Sequence, residues 1–162
     1  DPKSQPLLSN GKQSSGNIFL NQREDIQLLK KILENKVENY LKEFSTSNDG
    51  LIINWPKNFK IYGWLVSISS GGKLSPHIHK EGWLSGSLYF KMPSKKTKNE
   101  GNIVFSLDGA NYPTDGKKFD KKSVDVNKGD LVLFPSSLFH HTIPFKSNEE
   151  RVTFAFDIIP QN

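Results

Sequence analysis

The most informative stretch of the sequence is KLSPHIHKEGWLSGSLYF, residues 73–90, which contains His77 and His79. A second stretch, GDLVLFPSSLFHHTIPF at residues 129–145, contains the other two of the four histidines in the chain. If both stretches are β-strands, residues i and i+2 point to the same face, about 6.5–7 Å apart along the strand. Two imidazoles could then converge on one ion, with a third ligand from the distant strand. The sequence therefore predicts a mononuclear metal site inside a β-barrel-like fold.

The residues around these two stretches predict an antiparallel β-fold. From residue 51 onward, short β-branched and aromatic segments alternate in polarity and are separated by clusters of Gly, Pro, Asn and Asp. The predicted strands cover residues 60–70, 84–91, 102–107, 130–134 and 151–159. Because no helical pattern lies between them, we expect a mainly β sandwich, jelly roll or small barrel. Two hydrophilic connections, residues 92–100 and 108–127, are expected to form mobile rims of a pocket.

The residues before this β-region predict an arm and one helix. Residues 1–17 are rich in Ser, Gly, Pro and Asn, and we expect them to form a loosely attached arm. Asn21 and Glu24 resemble a capping box that opens a helix reaching to about residue 45. The apolar stripe of this helix consists of Ile26, Leu29, Leu33, Val37, Tyr40, Leu41 and Phe44. We expect a single domain, with the arm and supporting helix in residues 1–50 and the β-core in residues 51–162.

Composition limits the classes of protein to consider. Of the 162 residues, 35% are hydrophobic and 24% are charged, which is typical of a globular domain. No apolar run reaches the roughly 18 residues that a membrane helix needs. The absence of cysteine excludes disulfides and thiolate metal sites, and it favours a cytoplasmic protein. Because the chain begins at Asp1, we expect it to be a processed product or a piece of a longer protein.

The net charge of +5 arises mostly from lysines in two predicted loops, residues 91–98 and 117–122. Arginine, the preferred residue for bidentate phosphate and base contacts, occurs only at Arg23 and Arg151. This distribution indicates solvated loops and disfavours nucleic acid as a partner.

The last predicted strand, RVTFAFDII at residues 151–159, has two different faces. One face is apolar and consists of Val152, Phe154, Phe156 and Ile158, whereas the other is small or polar and consists of Arg151, Thr153, Ala155 and Asp157. If the apolar face packs against a sheet or helix, the polar face lines a cavity. Arg151 could then grip a carboxylate with its two-pronged guanidinium.

These stretches together carry a resemblance to a known family. The segments GWLVSI, HIHKEGWLSGSLYF, GDLVLFPSSLFHHTIPF and RVTFAFDIIP resemble the iron(II) and 2-oxoglutarate-dependent oxygenase superfamily. Its pattern is His-x-Asp/Glu, a distal His, and Arg-x-Ser/Thr near the end of a double-stranded β-helix. The sequence is most similar to a prolyl-hydroxylase-like branch whose members occur alone or after tetratricopeptide repeats. The resemblance covers residues 64–160 and consists of several motifs in the correct order.

The resemblance implies a double-stranded β-helix, of the jelly-roll or cupin-like type, braced by the N-terminal helix. It also implies an oxidoreductase that uses Fe(II), 2-oxoglutarate and O2 to hydroxylate a substrate. The metal ligands would be His77, His79 and His140. The residues that bind 2-oxoglutarate would be Arg151, Thr153 and Tyr89. No catalytic residue beyond the metal ligands is implied.

The sequence departs from the superfamily at His79, where a carboxylate is usual. Three neutral imidazoles leave the iron one negative charge short, which should alter its affinity and redox tuning. The branch named above tends to carry His-x-His as well. We expect His141 to point away from His140, because adjacent residues of a strand face opposite sides.

Two other functions stay open at this level. A cupin-like three-histidine protein would not use 2-oxoglutarate, but its first motif needs a Glu about four residues after His-x-His, and Glu81 follows by two. A non-catalytic binding module would use the lysine-rich loops to hold an anionic partner. The primary substrate, a peptide or protein side chain or a small molecule, is not readable from the sequence.

Overall fold

The computed structural model describes residues 2–3, 5–117 and 119–161, and within these ranges it contains nine β-strands and two α-helices. The elements are β1 (Pro2–Lys3), β2 (Leu8–Ser14), a 3-10 helix (Ile18–Leu20), α1 (Glu24–Glu43), α2 (Gly50–Ile53), β3 (Phe59–Leu74), β4 (Leu84–Lys91), β5 (Ile103–Ser106), β6 (Lys122–Val124), β7 (Leu131–Pro135), β8 (Phe139–Thr142) and β9 (Arg151–Pro160). Neither helix in these ranges is both long and apolar enough to span a membrane.

The strands form two antiparallel sheets that enclose a cavity. The six-stranded sheet has the order β1-β2-β3-β9-β4-β7, and the three-stranded sheet has the order β6-β5-β8. Side chains from both sheets meet in one apolar cluster, in which Tyr89 and Phe134 pack with Ile103 and Phe105. The prediction of a mainly β, jelly-roll fold braced by a helix is confirmed.

Helix α1 packs against the outer face of the six-stranded sheet. Leu33 and Val37 are each 1% exposed and pack with Phe154, Phe156 and Ile158 of β9. Their spacing of four residues places both on one helical face, which is the periodicity that predicted the stripe. The apolar face of β9 is therefore covered by the helix, and its polar face is turned toward the cavity.

Glycines in the neighbouring strands make room for the two phenylalanines of β9. A Cβ at Gly86 would lie 2.2 Å from the Phe156 ring, and a Cβ at Gly63 would lie 2.7 Å from the Phe154 ring. Both distances are far below van der Waals contact, so any larger residue would push the strand or the ring aside. These glycines leave the space that the two aromatic rings occupy beneath the helix.

The prediction of a loosely attached N-terminal arm is wrong for Leu8–Ser14, which forms β2 and pairs with β3. Residues 1 and 4 of the predicted arm lie outside the described ranges. The polar composition was misleading because a strand pairs through its backbone, whatever its side chains. The register shifts between Ser9 and Gly11, where Asn10 adopts a φ of 45° that asparagine tolerates in a bulge.

The predicted capping box is also wrong. Asn21 accepts a hydrogen bond from the Arg23 backbone N–H at 3.0 Å, so its side chain closes a turn before the helix. Helix α1 begins at Glu24, and Arg23 at the N-cap makes no capping hydrogen bond through its side chain. The first turn contains two acidic residues, Glu24 and Asp25, whose negative charges stabilise the positive end of the helix dipole.

The two hydrophilic connections do not form the pocket rim that the sequence predicts. None of their described residues lines the large cavity, whereas Gln5, Leu7 and Gln13 from the N-terminal region do. The first connection is fixed by Lys95, whose ammonium donates hydrogen bonds to Asn102 and Asp125. Part of the second connection forms the short strand β6.

Candidate metal centre

The structure brings His77, His79 and His140 together. Their ligand nitrogens all lie within 4.8 Å of one another, and the Nε2 atoms of His77 and His79 are 3.3 Å apart. The ring centroids of His77 and His140 are separated by 4.2 Å, and those of His79 and His140 by 4.9 Å. The convergence of the two histidine stretches is therefore present, although they are 61 residues apart or more in the sequence.

The backbone that carries the first histidine pair differs from the prediction. Strand β3 ends at Leu74, and His77 forms only an isolated bridge with His140 through two reciprocal backbone hydrogen bonds of 3.1 and 3.0 Å. Pro76 has no N–H to continue a ladder, so the strand stops before the histidines. His79 is held separately, because its backbone N–H donates to the Ser136 carbonyl at 3.0 Å.

The Nδ1 atom of each ring has a hydrogen-bond partner that orients the ring. His77 Nδ1 lies 2.8 Å from the Ser75 carbonyl, and His140 Nδ1 lies 3.0 Å from the Leu138 carbonyl. His79 Nδ1 lies 2.7 Å from Asp157 Oδ1. Carbonyl and carboxylate oxygens accept hydrogen bonds, so each ring carries its proton on Nδ1 and donates it. All three Nε2 lone pairs are consequently available at the centre of the cluster.

Burial keeps at least two of these rings neutral. Burial, together with the positive charge that His79 can carry, lowers the pKa of His77 to about 4. His140 is only 5% exposed, and this burial lowers the pKa of its ring. The positive charges that His77 and His79 can carry lower the pKa of His140 as well. Neutral imidazole is the form that binds a metal.

The cluster fits a divalent metal ion. Nε2 lone pairs that face one another at 3.3 Å repel unless a proton or a metal ion lies between them. Imidazole nitrogen is a suitable ligand for iron, zinc, copper and nickel, and the chain contains no cysteine to favour a thiolate site. Within the described part of the chain, these three histidines are the one group of potential ligand side chains close enough together to hold an ion.

Arg151 is a buried cation on the wall of the same cavity. It is 4% exposed, its Nε donates to the Gly101 carbonyl at 3.0 Å, and its Nη1 donates to Thr153 Oγ1 at 2.9 Å. Burial lowers the pKa of Arg151, yet an arginine side chain stays protonated in proteins. No acidic side chain of the described ranges forms a salt bridge with it. A buried charge without a partner of opposite sign costs free energy. The guanidinium of Arg151 is therefore suited to bind an anionic ligand.

Tyr89 lies behind Arg151. Its ring is fully buried, and the Arg151 guanidinium carbon lies 4.9 Å from the ring centroid, within cation–π range. Burial raises the pKa of the Tyr89 hydroxyl, which has no hydrogen-bond partner among the described residues. Tyr89 does not line the cavity, so its hydroxyl is set back from the space that a ligand would occupy.

The cavity has a volume of about 450 Å³ and receives residues from both sheets. The three histidines, Arg151 and Thr153 all line it, and so do the apolar side chains of Trp64 and Ile103. A volume of this size is in the range of sites for small molecules and cofactors. The three histidines and the cation therefore face one shared chamber.

The remaining histidine and the alternative acidic ligand lie outside the cluster. His141 is half-buried, does not line the cavity, and has its pKa lowered by burial and by the charges of Lys121 and Lys73. Glu81 lines the cavity but is not part of the cluster around the Nε2 atoms. Trp83, which follows the His-x-His segment, does not line the cavity and donates its indole N–H to the Leu51 carbonyl at 3.0 Å.

Sequence reasoning missed the residues that support His79. Asp157 was placed on the inward face of β9, but its contact with His79 depends on a pairing across 78 residues. Ser85 and Ser136 complete a buried network around the Asp157 carboxylate. The alternation of Ser85 and Ser87 with apolar residues on β4 was the available signal, since it places both serines on the same face of the strand, and Ser87 lines the cavity.

Comparison with known proteins agrees with this geometry. Residues 62–157 match the model of a family described as "Putative 2OG-Fe(II) oxygenase". The sequence has no match among curated proteins.

Several solved structures share the fold. A prolyl-4-hydroxylase from Pseudomonas putida superposes with a TM-score of 0.65 and 14% identity, covering 100% of this chain and 78% of that one. HygX from Streptomyces hygroscopicus, with nickel and 2-oxoglutarate bound, has a TM-score of 0.66 and 13% identity, covering 99% and 74%. The viral collagen prolyl hydroxylase of Paramecium Bursaria Chlorella virus-1 has a TM-score of 0.60 and 15% identity, covering 94% and 81%. At these identities the likeness establishes the fold.

Proposed function

The chain belongs to the family of 2OG-Fe(II) oxygenases, and from that premise we propose that it is an Fe(II)- and 2-oxoglutarate-dependent dioxygenase that hydroxylates its substrate. We propose His77, His79 and His140 as the iron ligands. The proposed 2-oxoglutarate site consists of Arg151, Thr153 and Tyr89. We also treat residues 1–162 as one oxygenase domain, in which residues 1–50 support the β-core of residues 51–162.

One observation carries the proposal. Three Nε2 lone pairs converge in the same cavity that contains a buried guanidinium without an acidic partner among the described residues. Each half of this arrangement is unfavourable alone, since the lone pairs repel and the cation is desolvated. A metal ion satisfies the first half, and a dianion with a carboxylate at its far end satisfies the second.

When bound, the iron with O2 supplies the coupling of 2-oxoglutarate decarboxylation to hydroxylation of a substrate C–H bond. The protein orients the three rings through their Nδ1–H bonds, so that the Nε2 atoms are fixed before any ligand arrives. Arg151, held by Gly101 and Thr153, presents its remaining N–H groups to a carboxylate. Trp64 and Ile103 give the chamber an apolar wall, and polar contacts are stronger in such low-polarity surroundings.

The substrate class stays broad. Two of the similar structures are prolyl hydroxylases, and one structure of HygX contains the small molecule hygromycin B. We therefore propose a peptide or protein side chain, or a small molecule, as the primary substrate. A cupin-like function without 2-oxoglutarate is less well supported, because it leaves the buried Arg151 unused.

The proposal is tested by anaerobic titration of the metal-free protein, first with Fe(II) and then with 2-oxoglutarate. We expect tight Fe(II) binding, followed by a weak visible charge-transfer band when 2-oxoglutarate chelates the metal. His140→Ala should abolish Fe(II) binding, and Arg151→Ala should weaken the band without removing Fe(II). Succinate release in the presence of O2 would then identify an active oxygenase.

The two negative outcomes have different meanings. Fe(II) binding without the band would favour a cupin-like metal protein. If no Fe(II) binds, the metal hypothesis is wrong, and the fold would serve as a non-catalytic binding module.

A further inference from the structure

We propose that Asp157 is a positioning residue that supplies, through His79, the negative charge that a carboxylate ligand supplies in sites of the His-x-Asp/Glu type. This inference rests on the proposed metal site. The charge is not lost where histidine replaces the carboxylate. The negative charge lies instead on the residue that is hydrogen-bonded to the metal ligand.

The geometry places a carboxylate directly behind His79. Asp157 Oδ1 lies 2.7 Å from His79 Nδ1, and the Asp157 residue is 7% exposed. A hydrogen bond to a charged partner at this distance is among the strong ones in proteins. The Nε2 atom on the far side of the same ring is the atom that faces the cluster.

The carboxylate is held in place by its own set of contacts. Ser85 Oγ donates to Asp157 Oδ1 at 2.6 Å, and Ser85 stands directly opposite Asp157 in the β4–β9 pairing. Ser136 Oγ lies 2.8 Å from Ser85 Oγ, and both serines are fully buried. A Cβ at Gly82 would lie 2.5 Å from Ser136 Oγ, so this glycine provides the room that the network needs. The network therefore fixes the carboxylate on β9 rather than letting it turn to solvent.

The three histidines are not equivalent in this respect. His77 and His140 donate their Nδ1 protons to the neutral carbonyls of Ser75 and Leu138. Only His79 donates to a carboxylate among the described residues. His79 is also the residue that occupies the usual carboxylate position of the sequence pattern. The negative charge of Asp157 is thus found beside the one ligand position at which the superfamily has a carboxylate. An Asp–His pair with a purely structural role could equally have formed at His77 or His140.

A carboxylate in this position changes the metal through the ring. It fixes the tautomer that leaves Nε2 free, and it makes that nitrogen a stronger donor. The net charge of the three ligands and Asp157 together equals that of two histidines and one carboxylate. We therefore infer that the site behaves electrostatically like a two-histidine, one-carboxylate site.

The test compares Fe(II) and Co(II) affinity of the full chain with that of Asp157→Asn, measured anaerobically by competition with a chelating dye. Asparagine keeps the size of the side chain and an acceptor oxygen but removes the charge. We expect binding of both metals to weaken about 10- to 100-fold, the usual effect of losing such a partner. Asp115→Asn, which removes a charge from an exposed loop, is the matched control and should bind like the parent.

Repeating the Asp157→Asn change in the His79→Asp variant separates the effect of the Asp157 charge from a structural role of Asp157. In His79→Asp the carboxylate returns to the ligand position, so the additional change Asp157→Asn should weaken metal binding far less or strengthen it. The Fe(III)/Fe(II) potential should rise in Asp157→Asn alone, because a negative charge near the iron is lost. Asp157→Ser provides a second neutral variant if Asp157→Asn folds poorly, and circular dichroism checks the fold of each.

The outcomes are distinct. Binding by Asp157→Asn within twofold of the parent overturns the inference, and so does an equal loss in both backgrounds, which would indicate a structural role. A parent that binds neither metal overturns both the inference and the proposed function. A parent that binds metal in an Asp157-dependent manner but shows no response to 2-oxoglutarate supports the inference and contradicts the oxygenase proposal.

Discussion

Strand β9 has two faces that are almost equally buried and chemically opposite. On the outer face, Phe154 and Phe156 are at most 1% exposed and pack beneath α1. On the inner face, Arg151, Thr153 and Asp157 are 4%, 3% and 7% exposed, and all three line the cavity. Burial alone therefore does not tell which face stabilises the fold and which face serves a ligand.

The two faces differ in the contacts that replace water around each buried side chain. An apolar ring beneath the helix leaves water and contacts other apolar atoms, which stabilises the fold by about 25 cal/mol per Å² of apolar surface. The guanidinium of Arg151 leaves water and finds a carbonyl, a hydroxyl and an aromatic ring, none of which carries a full negative charge. We infer that the outer face provides stability, and that the inner face gives up stability in favour of binding.

The largest expected effect belongs to Phe156 on the outer face. Because the ring is fully buried, Phe156→Ala should lower the free energy of unfolding by about 3–5 kcal/mol. Urea denaturation followed by circular dichroism measures this loss. Metal affinity of the folded fraction should stay close to that of the parent, and Phe156→Leu, a milder change, allows the same comparison if the alanine variant unfolds. A change in metal affinity with intact stability would contradict the division between the two faces.

The opposite pattern is expected for Arg151 on the inner face. Arg151→Met removes charge-assisted hydrogen bonds to a carboxylate and should weaken 2-oxoglutarate binding by about 1.5–3 kcal/mol, or roughly 10- to 150-fold. The free energy of unfolding should fall by no more than about 1 kcal/mol, because a desolvated cation disappears together with its hydrogen bonds. Calorimetric titration and urea denaturation measure the two quantities. A stability loss as large as that of Phe156→Ala would mean that Arg151 is mainly a structural residue.

The smallest expected effect comes from His141, the neighbour of a proposed ligand. Its half-buried ring does not line the cavity, so His141→Ala should change the free energy of unfolding by less than about 0.5 kcal/mol. Fe(II) affinity should equal that of the parent, whereas His140→Ala should bind no Fe(II). If His141→Ala lost as much Fe(II) affinity as His140→Ala, the two adjacent side chains of β8 would not face opposite sides. The assignment of His140 as the ligand would then have to be revised.

The alternation in the sequence predicted a large part of this arrangement. The two faces of RVTFAFDII and the stripe of α1 follow from the fixed periods of strands and helices, whereas the set of three histidines was implied by the resemblance to the oxygenase superfamily. These periods depend on the residues themselves and their near neighbours. Local information was therefore sufficient for the faces of single elements, and the resemblance was needed for the type of β-fold and for the candidate ligands.

The remaining features depend on partners that are distant in the sequence. Strand β2 could not be recognised because its stability comes from backbone pairing with β3 and not from its own polar side chains. The contact between Asp157 and His79 depends on the register of β9 with β4 and on where the chain turns after Pro76. Neither the register nor the turn leaves a periodic pattern, so tertiary structure was needed to find both.

The reciprocal backbone bridge between His77 and His140 has a thermodynamic consequence. The two residues belong to distant parts of the chain, yet their backbones are joined as firmly as neighbours in a ladder. The conformational entropy of bringing these two rings together is lost when the protein folds, not when an ion enters. A metal that binds there should find its ligands already assembled, and its binding should require little ordering of the chain.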